Sequence, residues 1–392
     1  MTKREEFTDQ DYVIGVHTDP DALDAKAWNE LLERQPNPTP FLRHEYLHAL
    51  HASASAVPQT GWAPQFITLH AQGRLQAACA SYLKSHSYGE YVFDWAWADA
   101  YRRHGLRYYP KLLAAIPFTP VPGTRLMAND GISRRRLASV LLSAASNAEL
   151  SSAHVLFIDN ADREALVHAG WMIREGVQFH WTQDVTRPVA DFTDLLSRLQ
   201  RDKRKKIQQE RRRVAEQGIA FTVHEDAAID AGLWDFFYRC YTLTYQAHRS
   251  TPYLTRDFFS RMAQTMAAHW LMFVARRDGQ PLAVSLVAID RARGTAWGRY
   301  WGCIESLPCL HFEACYYQPL AWCLQEGFLR FEGGAQGEHK MARGLLPAVT
   351  ASAHWLRDPR FGAAVSDFLA AEGQGVYQYV DELRERSPFK PT

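Results

Sequence analysis

Residues 271–301 read LMFVARRDGQPLAVSLVAIDRARGTAWGRYW, and the order of apolar and turn residues in this stretch indicates the class of fold. We interpret its three apolar and aromatic runs as consecutive strands, at residues 271–276, 282–289 and 295–301. Asp278-Gly279-Gln280 supplies the first turn. The stretch 311–331 has apolar residues at helical spacing and predicts a long helix. Consecutive strands followed by a helix predict a mainly antiparallel sheet flanked by helices.

The first half of the chain mixes strand and helix signals in a similar way. Residues 66–70 and 75–83 predict two strands around a turn, and residues 133–145 predict a helix. An alternating aromatic run predicts a further strand with a large aromatic face: Tyr88, Tyr91, Phe93, Trp95, Trp97 and Tyr101. Another strand, interrupted by prolines, is predicted at residues 117–127. Both halves are therefore expected to be mixed α/β (α+β) structures.

The length of the chain predicts two domains. Its 392 residues are more than a single hydrophobic core usually organises. Polar residues and a proline interrupt the pattern at 184–188, so we predict an N-terminal domain at residues 1–184 and a C-terminal domain at residues 185–392. A helix is predicted at residues 191–217, near the start of the second domain.

The composition is that of an ordinary globular protein. With 47% hydrophobic and 22% charged residues and a net charge of +1, strong global attraction to polyanions is excluded. The six cysteines form no CxxC pair, which favours a reducing, cytoplasmic compartment. Residues 1–10 are polar and lack the apolar core of a signal peptide, and no stretch reaches the roughly 18 apolar residues that span a bilayer. We therefore expect no integral membrane association.

Two polar clusters in the second half predict one functional site. The run Gly333-Gly334-Ala335-Gln336-Gly337-Glu338-His339-Lys340 is rich in glycine, which predicts a shaped loop rather than a helix or strand. Aromatic and ionisable residues lie shortly before it in the sequence: Arg299, Tyr300, Trp301, His311, Glu313 and Tyr316. A tight turn with a solvated Glu-His-Lys surface is the alternative interpretation of the loop.

Polar and aromatic residues are also concentrated in the first half, at Lys84, His86, Tyr88, Asp94 and Trp97. Aromatic faces with a few oriented polar groups suit a groove for a carbohydrate, a peptide or an acyl chain. Core packing explains the tryptophans equally well. However, Lys84 and His86 fall on one face of the predicted strand, and core strands seldom bury two such residues without a partner or ligand.

The segment Lys203–Arg213 is strongly basic, and its charges wind round more than one face of the predicted helix. A solvated helix face is one interpretation. The other is a surface for tRNA or another anionic partner, bound through phosphate attraction rather than sequence reading.

Five stretches are distinctive as a set: FLRHEYL (41–47), YLKSHSYGEYVFD (82–94), GRYWG (298–302), HFE (311–313) and GAQGEHK (334–340). Together they resemble the FemAB-like N-acyltransferases of the GNAT superfamily, often labelled peptidoglycan biosynthesis or recognition proteins. The resemblance covers residues 41–369. It implies two tandem GNAT-like domains, each a twisted, mainly antiparallel sheet flanked by helices, and a small-molecule or peptide substrate.

The resemblance also implies an acyl donor, either acyl-CoA or aminoacyl-tRNA. A GNAT domain usually holds pyrophosphate on a glycine-rich loop at a helix start. Residues 302–310 supply one glycine, one proline and an acid, which makes a poor phosphate cradle. The helix start in the first half is more suitable, so we predict that Gly131, Arg134 and Arg135 bind the cofactor. A solvated basic first turn is the alternative.

Amide formation by acyl transfer needs a base, donors for the oxyanion and an acid for the leaving group. Glu338, Glu313 or His339 are the candidate bases, and Tyr316 or Tyr300 the candidate acids. Substrate orientation is assigned to Lys340, Arg299, Tyr300, Trp301 and His311. A metal site built from His311, Glu313, Glu338, His339 and His354 matches no established signature, so no metal is expected. A Cys303 or Cys315 nucleophile is a competing possibility.

We therefore expect an N-acyltransferase or aminoacyltransferase that forms an amide on an amine of a peptide, amino acid or cell-envelope precursor. Two alternatives remain open. One is a non-catalytic GNAT-like protein that recognises a peptidoglycan or peptide ligand, and the other is a hydrolase that uses the Glu-His loop.

Overall fold

The computed structural model describes residues 12–335 and 337–390, so the predicted absence of a signal peptide at residues 1–10 and the loop residue Gln336 lie outside the described part. The chain forms two compact units. Of the described residues, the first unit contains 12–51, 56–174 and 351–367, and the second contains the others. The chain passes into the second unit at residue 175, and the domain division at residues 184 and 185 stays a prediction.

The strands of the first unit form two groups. One is a sheet of order β1-β3-β4-β7, built from Tyr12–His17 (β1), Phe66–Ala71 (β3), Arg74–Cys79 (β4) and Met127–Ala128 (β7). The other has the order β8-β6-β5-β2 and contains Trp62–Pro64 (β2), Ser81–Lys84 (β5), Lys111–Ala114 (β6) and Ser152–Ile158 (β8). The strand predicted at 117–127 is wrong apart from its last residue, because most of that proline-containing stretch is irregular.

The helices of the first unit are Ala25–Glu33 (α1), His44–Ala52 (α2), Trp95–Arg103 (α3), Gly131–Asn147 (α4) and Asn160–His168 (α5). The strand predicted for the aromatic run is therefore wrong. Trp97 and Tyr101 are four residues apart and both buried, so they form the inner face of α3, whereas Trp95 is 40% exposed. The spacing of the aromatic residues fits the pattern of a strand as well as that of a helix. Leu69, Leu137 and Val155 lie in the core between sheet and helices.

The sheet of the second unit contains the strands recognised in the opening stretch. Its order is β10-β11-β12-β13-β14-β9, from Met172–Thr182 (β9), Ile219–Glu225 (β10), Trp270–Arg277 (β11), Gln280–Asp290 (β12), Thr295–Cys303 (β13) and Arg330–Glu332 (β14). A last strand, Leu346–Leu356 (β15), follows in the sequence. The pairs β11–β12 and β12–β13 are antiparallel as predicted, and β13 and β14 are parallel.

The helices that follow β9 are Phe192–Arg198 (α6), Arg201–Glu216 (α7), Ala231–Ala247 (α8), Arg256–Thr265 (α9), Leu310–Phe312 (α10), Gln318–Gln325 (α11) and Pro359–Glu385 (α12). A π-helical turn, Glu313–Tyr317, joins α10 to α11. The single helix predicted at 191–217 is divided, because Leu199 is extended with ψ 152°. The helix predicted at 311–331 ends at Gln325, and its last residues form β14. In the described part of the chain, no helix is long and apolar enough to cross a bilayer.

Candidate functional site

Two parallel strands part in the second unit, and we call the region beyond the end of β14 the β13–β14 crevice. β13 pairs with β14 from Thr295 to Trp297, but β14 ends at Glu332 while β13 continues to Cys303 beside β12. Ligands of α/β sheets commonly bind outside the carboxyl ends of such strands. Beyond β14 the chain forms a loop and then a short 3₁₀ helix, Glu338–Arg343. Gly337, with φ 110°, lies so close to His339 that a Cβ atom would be 2.5 Å from the imidazole, so glycine is needed for the ring to pack here.

Five side chains meet at this crevice, and we call them the site cluster: Trp301, His311, Phe312, Tyr316 and His339. The ring of His311 lies 5.4 Å from that of Trp301 and 5.6 Å from that of Tyr316. His339 packs 5.9 Å from Phe312 and 5.8 Å from Tyr316. Tyr316 Oη is 3.1 Å from His339 Nε2. The structure thus brings together residues of a strand, a helical segment and the 3₁₀ helix Glu338–Arg343.

Both imidazoles of the site cluster are neutral near pH 7. Burial lowers the pKa of His311 to about 4, and the nearby cations add to the effect. Burial, Arg343 and Lys340 also lower the pKa of His339, which is exposed on one side. Burial raises the pKa of Tyr316, so its phenol keeps its proton. A neutral His339 can therefore accept a hydrogen bond from Tyr316 and can take up a proton.

Lys340 holds the loop in place. Its side chain is 3% exposed, and its Nζ donates to Gly334 O at 2.7 Å and Ala335 O at 3.2 Å. Burial lowers the pKa of Lys340 to about 8. The ammonium therefore orders the glycine-rich loop through its carbonyl groups, and its predicted part in orienting a substrate stays a prediction.

A buried ion pair between Arg343 and Glu210 stabilises the site cluster. Arg343 donates to His339 O at 2.6 Å and to the two carboxylate oxygens of Glu210 at 3.1 and 3.0 Å. Its guanidinium lies 3.5 Å from the ring centre of Phe312, and Tyr317 also donates to Glu210. We missed this pair in the sequence because Glu210 lies within the basic segment. The spacing of Ile207, Glu210 and Val214, the buried residues of α7, was the available signal.

The two glutamates predicted as bases have other partners. Glu313 is buried and accepts from Arg211 Nε at 3.1 Å and Gln318 Nε2 at 2.7 Å, while burial raises its pKa. Glu338 is exposed and accepts a hydrogen bond of 2.5 Å from Tyr379. The structure therefore gives no Glu338–His339 dyad of the kind that the hydrolase alternative requires. The catalytic roles of both glutamates stay predictions.

Arg299 and Tyr300 lie in β13, next to Trp301. Arg299 Nη2 donates to Tyr300 Oη at 3.1 Å. The ring of Tyr300 packs 5.2 Å from Tyr241 and 5.9 Å from Phe259, on the side of α8 and α9. Their assignment to substrate binding stays a prediction.

In the first unit, the predicted groove residues belong mainly to a buried polar network. Lys84 Nζ lies 3.7 Å from the ring centre of Trp62 and donates to Tyr88 O at 3.3 Å. Burial lowers the pKa of Lys84 to about 7. Asp94 pairs with Lys111, which also binds Glu90 at 2.8 Å.

The remaining groove residues lie round this network. The ring of Trp97 is 5.0 Å from that of His354, whose Nδ1 is 2.8 Å from His154 Nδ1. His86 and Tyr88 pack together with ring centres 5.3 Å apart, and Tyr88 is 59% exposed. The predicted strand that carries both Lys84 and His86 is wrong, because β5 ends at Lys84. The substrate-binding roles stay predictions.

The predicted cofactor site at the start of α4 is filled by the protein's own groups. Asp130 accepts from Ser133 N at 2.7 Å, which places a carboxylate at the helix N-terminus. Arg134 is buried and donates to Asp162 at 2.7 Å and to Gln35 at 2.8 Å. These contacts stabilise the unit and leave the Arg134 guanidinium facing protein. The geometry gives no support to cofactor binding by Gly131, Arg134 and Arg135, which stays a prediction.

The remaining chemical alternatives concern metals and thiols. Among residues 12–335 and 337–390, no group of three or more His, Cys, Asp and Glu side chains is placed to hold a metal ion. Burial raises the pKa of Cys315 to about 12 and also raises that of Cys303. Protonated thiols are poor nucleophiles, so the geometry favours the imidazole–phenol pair over cysteine.

The order of strands and helices defines the class of protein as a mixed α/β fold, in which mainly antiparallel sheets are flanked by helices. The chain belongs to the FemAB-like family, described as peptidoglycan biosynthesis/recognition, whose model matches residues 20–391. The family and fold predicted from the sequence are thus confirmed.

Solved structures of similar fold include L-PGS from Bacillus licheniformis and FemX. L-PGS has a TM-score of 0.54 and 11% identity, covering 88% of this chain and 97% of that chain. FemX has a TM-score of 0.52 and 11% identity, covering 88% of this chain and 98% of that chain. At such low identity these likenesses establish the fold alone. No curated protein sequence matches the chain.

Proposed function

We propose that the protein transfers an acyl or aminoacyl group to an amine of a peptide, an amino acid or a cell-envelope precursor, and that the reaction occurs at the site cluster. The observation that supports this most directly is the 3.1 Å contact between Tyr316 Oη and His339 Nε2 beside the β13–β14 crevice. A neutral imidazole with a lowered pKa and a protonated phenol supply a base and an acid in contact with each other.

The reaction requires one bond to form and one to break. The amine nitrogen attacks the acyl carbon, and the bond from that carbon to the leaving oxygen or sulfur breaks. The proton lost by the nitrogen passes to the Tyr316–His339 pair, which returns a proton to the leaving atom. His339 holds the proton at Nε2 in the interval, so no charge is left on the amide product.

Aminoacyl-tRNA is the donor that the surface charge favours. The side chains of Arg201, Lys205, Lys206, Arg212 and Arg213 on α7 are exposed. Among the described residues, no carboxylate pairs with Lys205, Lys206, Arg212 or Arg213 within 4 Å, so these charges are available to phosphates. Residues 302–310 offer no glycine-rich cradle for the pyrophosphate of acyl-CoA. α7 is also joined to the site through Arg211–Glu313 and Glu210–Arg343.

The test compares donors and variants in the full-length protein. Aminoacyl-tRNA and acyl-CoA are each supplied with a peptide amine, and amide formation is followed by mass spectrometry. His339→Gln keeps hydrogen-bonding capacity but not the base, so kcat should fall by about 10²–10⁴-fold while donor binding is retained. Glu338→Gln is the matched control at the adjacent exposed residue. A loss in Glu338→Gln but not in His339→Gln would transfer the role of base to Glu338.

A second candidate function is recognition of a peptidoglycan or peptide ligand without turnover. The lack of a glycine-rich phosphate cradle at residues 302–310 favours it. In this case no donor would yield product, but a peptidoglycan stem peptide would still bind, and its affinity would change in Trp301→Ala.

A further inference from the structure

A cavity in the second unit lies apart from the site cluster. It has a volume of about 850 Å³ and is walled by β9, β14, the start of β15, α6 and residues 389–390. None of the five side chains of the site cluster lines it. Its volume is within the range of about 300–1,000 Å³ typical of small-molecule sites. We call it the Arg330 pocket.

The Arg330 pocket has more positive than negative charge. Its lining contains the cations Arg187, Arg198, Arg330 and Lys390 but only the carboxylates of Asp184 and Asp194. Asp194 forms an ion pair with Arg198, in which Oδ2 and Nη2 are 2.6 Å apart. Asp184 accepts from the backbone and hydroxyl of Thr186. Arg187 is close enough to Asp184 to contribute to the lowered pKa of that carboxyl, but within the described part of the chain no carboxylate lies within 4 Å of Arg187 or Lys390.

Arg330 lines the pocket, and Glu332 and His180 orient its side chain. Its Nε lies 2.9 Å from Glu332 Oε1, and its Nη2 lies 3.0 Å from His180 Nδ1. Burial and the adjacent Arg330 lower the pKa of His180 to about 3, so its neutral ring accepts from the guanidinium. An ion pair and a hydrogen bond thus orient the Arg330 side chain, and Arg330 adds a cation to the lining of the pocket.

The lining of the pocket also contains apolar residues. These are Trp181, Val189, Leu346, Pro347 and Phe389. Leu346 is 39% exposed, so its side chain is accessible to a ligand. A cavity lined by both cations and apolar side chains matches a ligand that has both an anionic head and an apolar body.

We propose that the Arg330 pocket binds an amphiphilic anion, in which a single carboxylate or phosphate group is attached to an apolar chain or ring. The anionic head lies against Arg330, Arg187 and Lys390, and the apolar body lies along Leu346 and Phe389. The site is independent of amide formation, so it does not rest on the proposed transferase activity. Both fatty carboxylates and phosphate monoesters of long-chain alcohols have this chemistry.

Calorimetric titration of the full-length protein distinguishes these sources. Dodecanoate and dodecyl phosphate are titrated below the concentrations at which they form micelles, with dodecanol and dodecyltrimethylammonium as uncharged and cationic controls. At least one anion should bind, at least tenfold more tightly than either control. A preference for dodecanoate indicates a free acid as the ligand, and a preference for dodecyl phosphate indicates a phosphate-headed ligand.

Two variants locate the binding. The double substitution Arg187→Gln/Lys390→Gln removes two exposed charges and should weaken the anion at least tenfold, and Ala348→Trp should block the cavity. The control pair Arg107→Gln/Arg249→Gln removes two exposed charges that lie outside the pocket and outside α7, and it should leave the affinity unchanged. Equal binding of anion and dodecanol, no binding of either anion, or a loss confined to the control pair would overturn the proposal.

Discussion

Replacement of Glu210 by glutamine tests the buried support of the site most directly. Glu210 is 7% exposed and Arg343 is 4% exposed, and their side chains make two hydrogen bonds of 3.1 and 3.0 Å. Glu210→Gln keeps the size and an acceptor oxygen for Tyr317 but leaves the charge of Arg343 buried without a counterion. Removal of one partner from a buried ion pair typically costs about 3–5 kcal/mol. The free energy of unfolding should fall by about that amount.

The matched control is Glu382→Gln. Glu382 and Arg386 form an ion pair 3.2 Å apart in which both side chains are 63% exposed. Exposed pairs contribute about 0.2–1 kcal/mol, so the two substitutions should differ severalfold. Urea unfolding followed by tryptophan fluorescence measures both, provided that a second probe gives a coincident transition.

The double variant Glu210→Leu/Arg343→Met separates charge from packing. It removes both charges and keeps similar volumes, and replacement of a buried pair by apolar residues is often neutral. It should therefore be more stable than Glu210→Gln, although it removes the donor to His339 O. A loss in Glu210→Gln below about 1 kcal/mol, equal to that in Glu382→Gln, would refute the reasoning, because the charge of Arg343 would then be solvated or compensated elsewhere.

Three further predictions concern pH and charge. If His339 is the base, the acid limb of kcat/KM should lie below pH 6.5, because burial lowers its pKa from that value, and a limb at or above pH 6.5 would contradict this role. Burial lowers the pKa of His154 to about 3. Below pH 6.5 the unfolded chain therefore takes up a proton that the folded protein does not. The free energy of unfolding should decrease from pH 6.5 towards pH 3 for this reason. In urea unfolding, the stability of His154→Gln should decrease less steeply with falling pH than that of the unsubstituted protein. An identical pH dependence in both proteins would contradict this role of His154. Charge reversal in Lys205→Glu/Arg212→Glu should weaken tRNA binding and reduce the slope of log affinity against log salt concentration by about 1.4–1.8. The free energy of unfolding should change by less than about 0.5 kcal/mol. An unchanged slope would mean that the α7 cations are solvated and do not bind tRNA.

The sequence predicted the elements whose signals are local. The strands at residues 271–276, 282–289 and 295–301 were found because their apolar runs are separated by turn residues, and the structure confirms them as β11, β12 and β13. The aromatic run at Tyr88–Tyr101 was misread because alternation and i, i+4 spacing both fit it, and only burial of Trp97 with Tyr101 distinguishes the two.

The candidate site was predicted only in part. Trp301, His311, Tyr316 and His339 were selected from their chemistry, and the structure brings their rings together. Glu338 and His339 are adjacent in sequence, yet Glu338 binds Tyr379, a residue of α12 far along the chain. Sequence proximity did not predict this contact, because side-chain direction depends on packing.

By itself, the sequence determined the family and the mixed α/β class, because these follow from residue type and spacing along the chain. It predicted the loop at residues 333–335 but not the 3₁₀ helix that carries His339. Only the tertiary structure decided that Glu210 pairs with Arg343, that Arg134 is bound by Asp162, and that a charged cavity lies beside Arg330. The physical reason is that an ion pair or a cavity depends on distance and burial in space. Residues that are more than a hundred positions apart in the sequence, such as Glu210 and Arg343, carry no local signal of their contact.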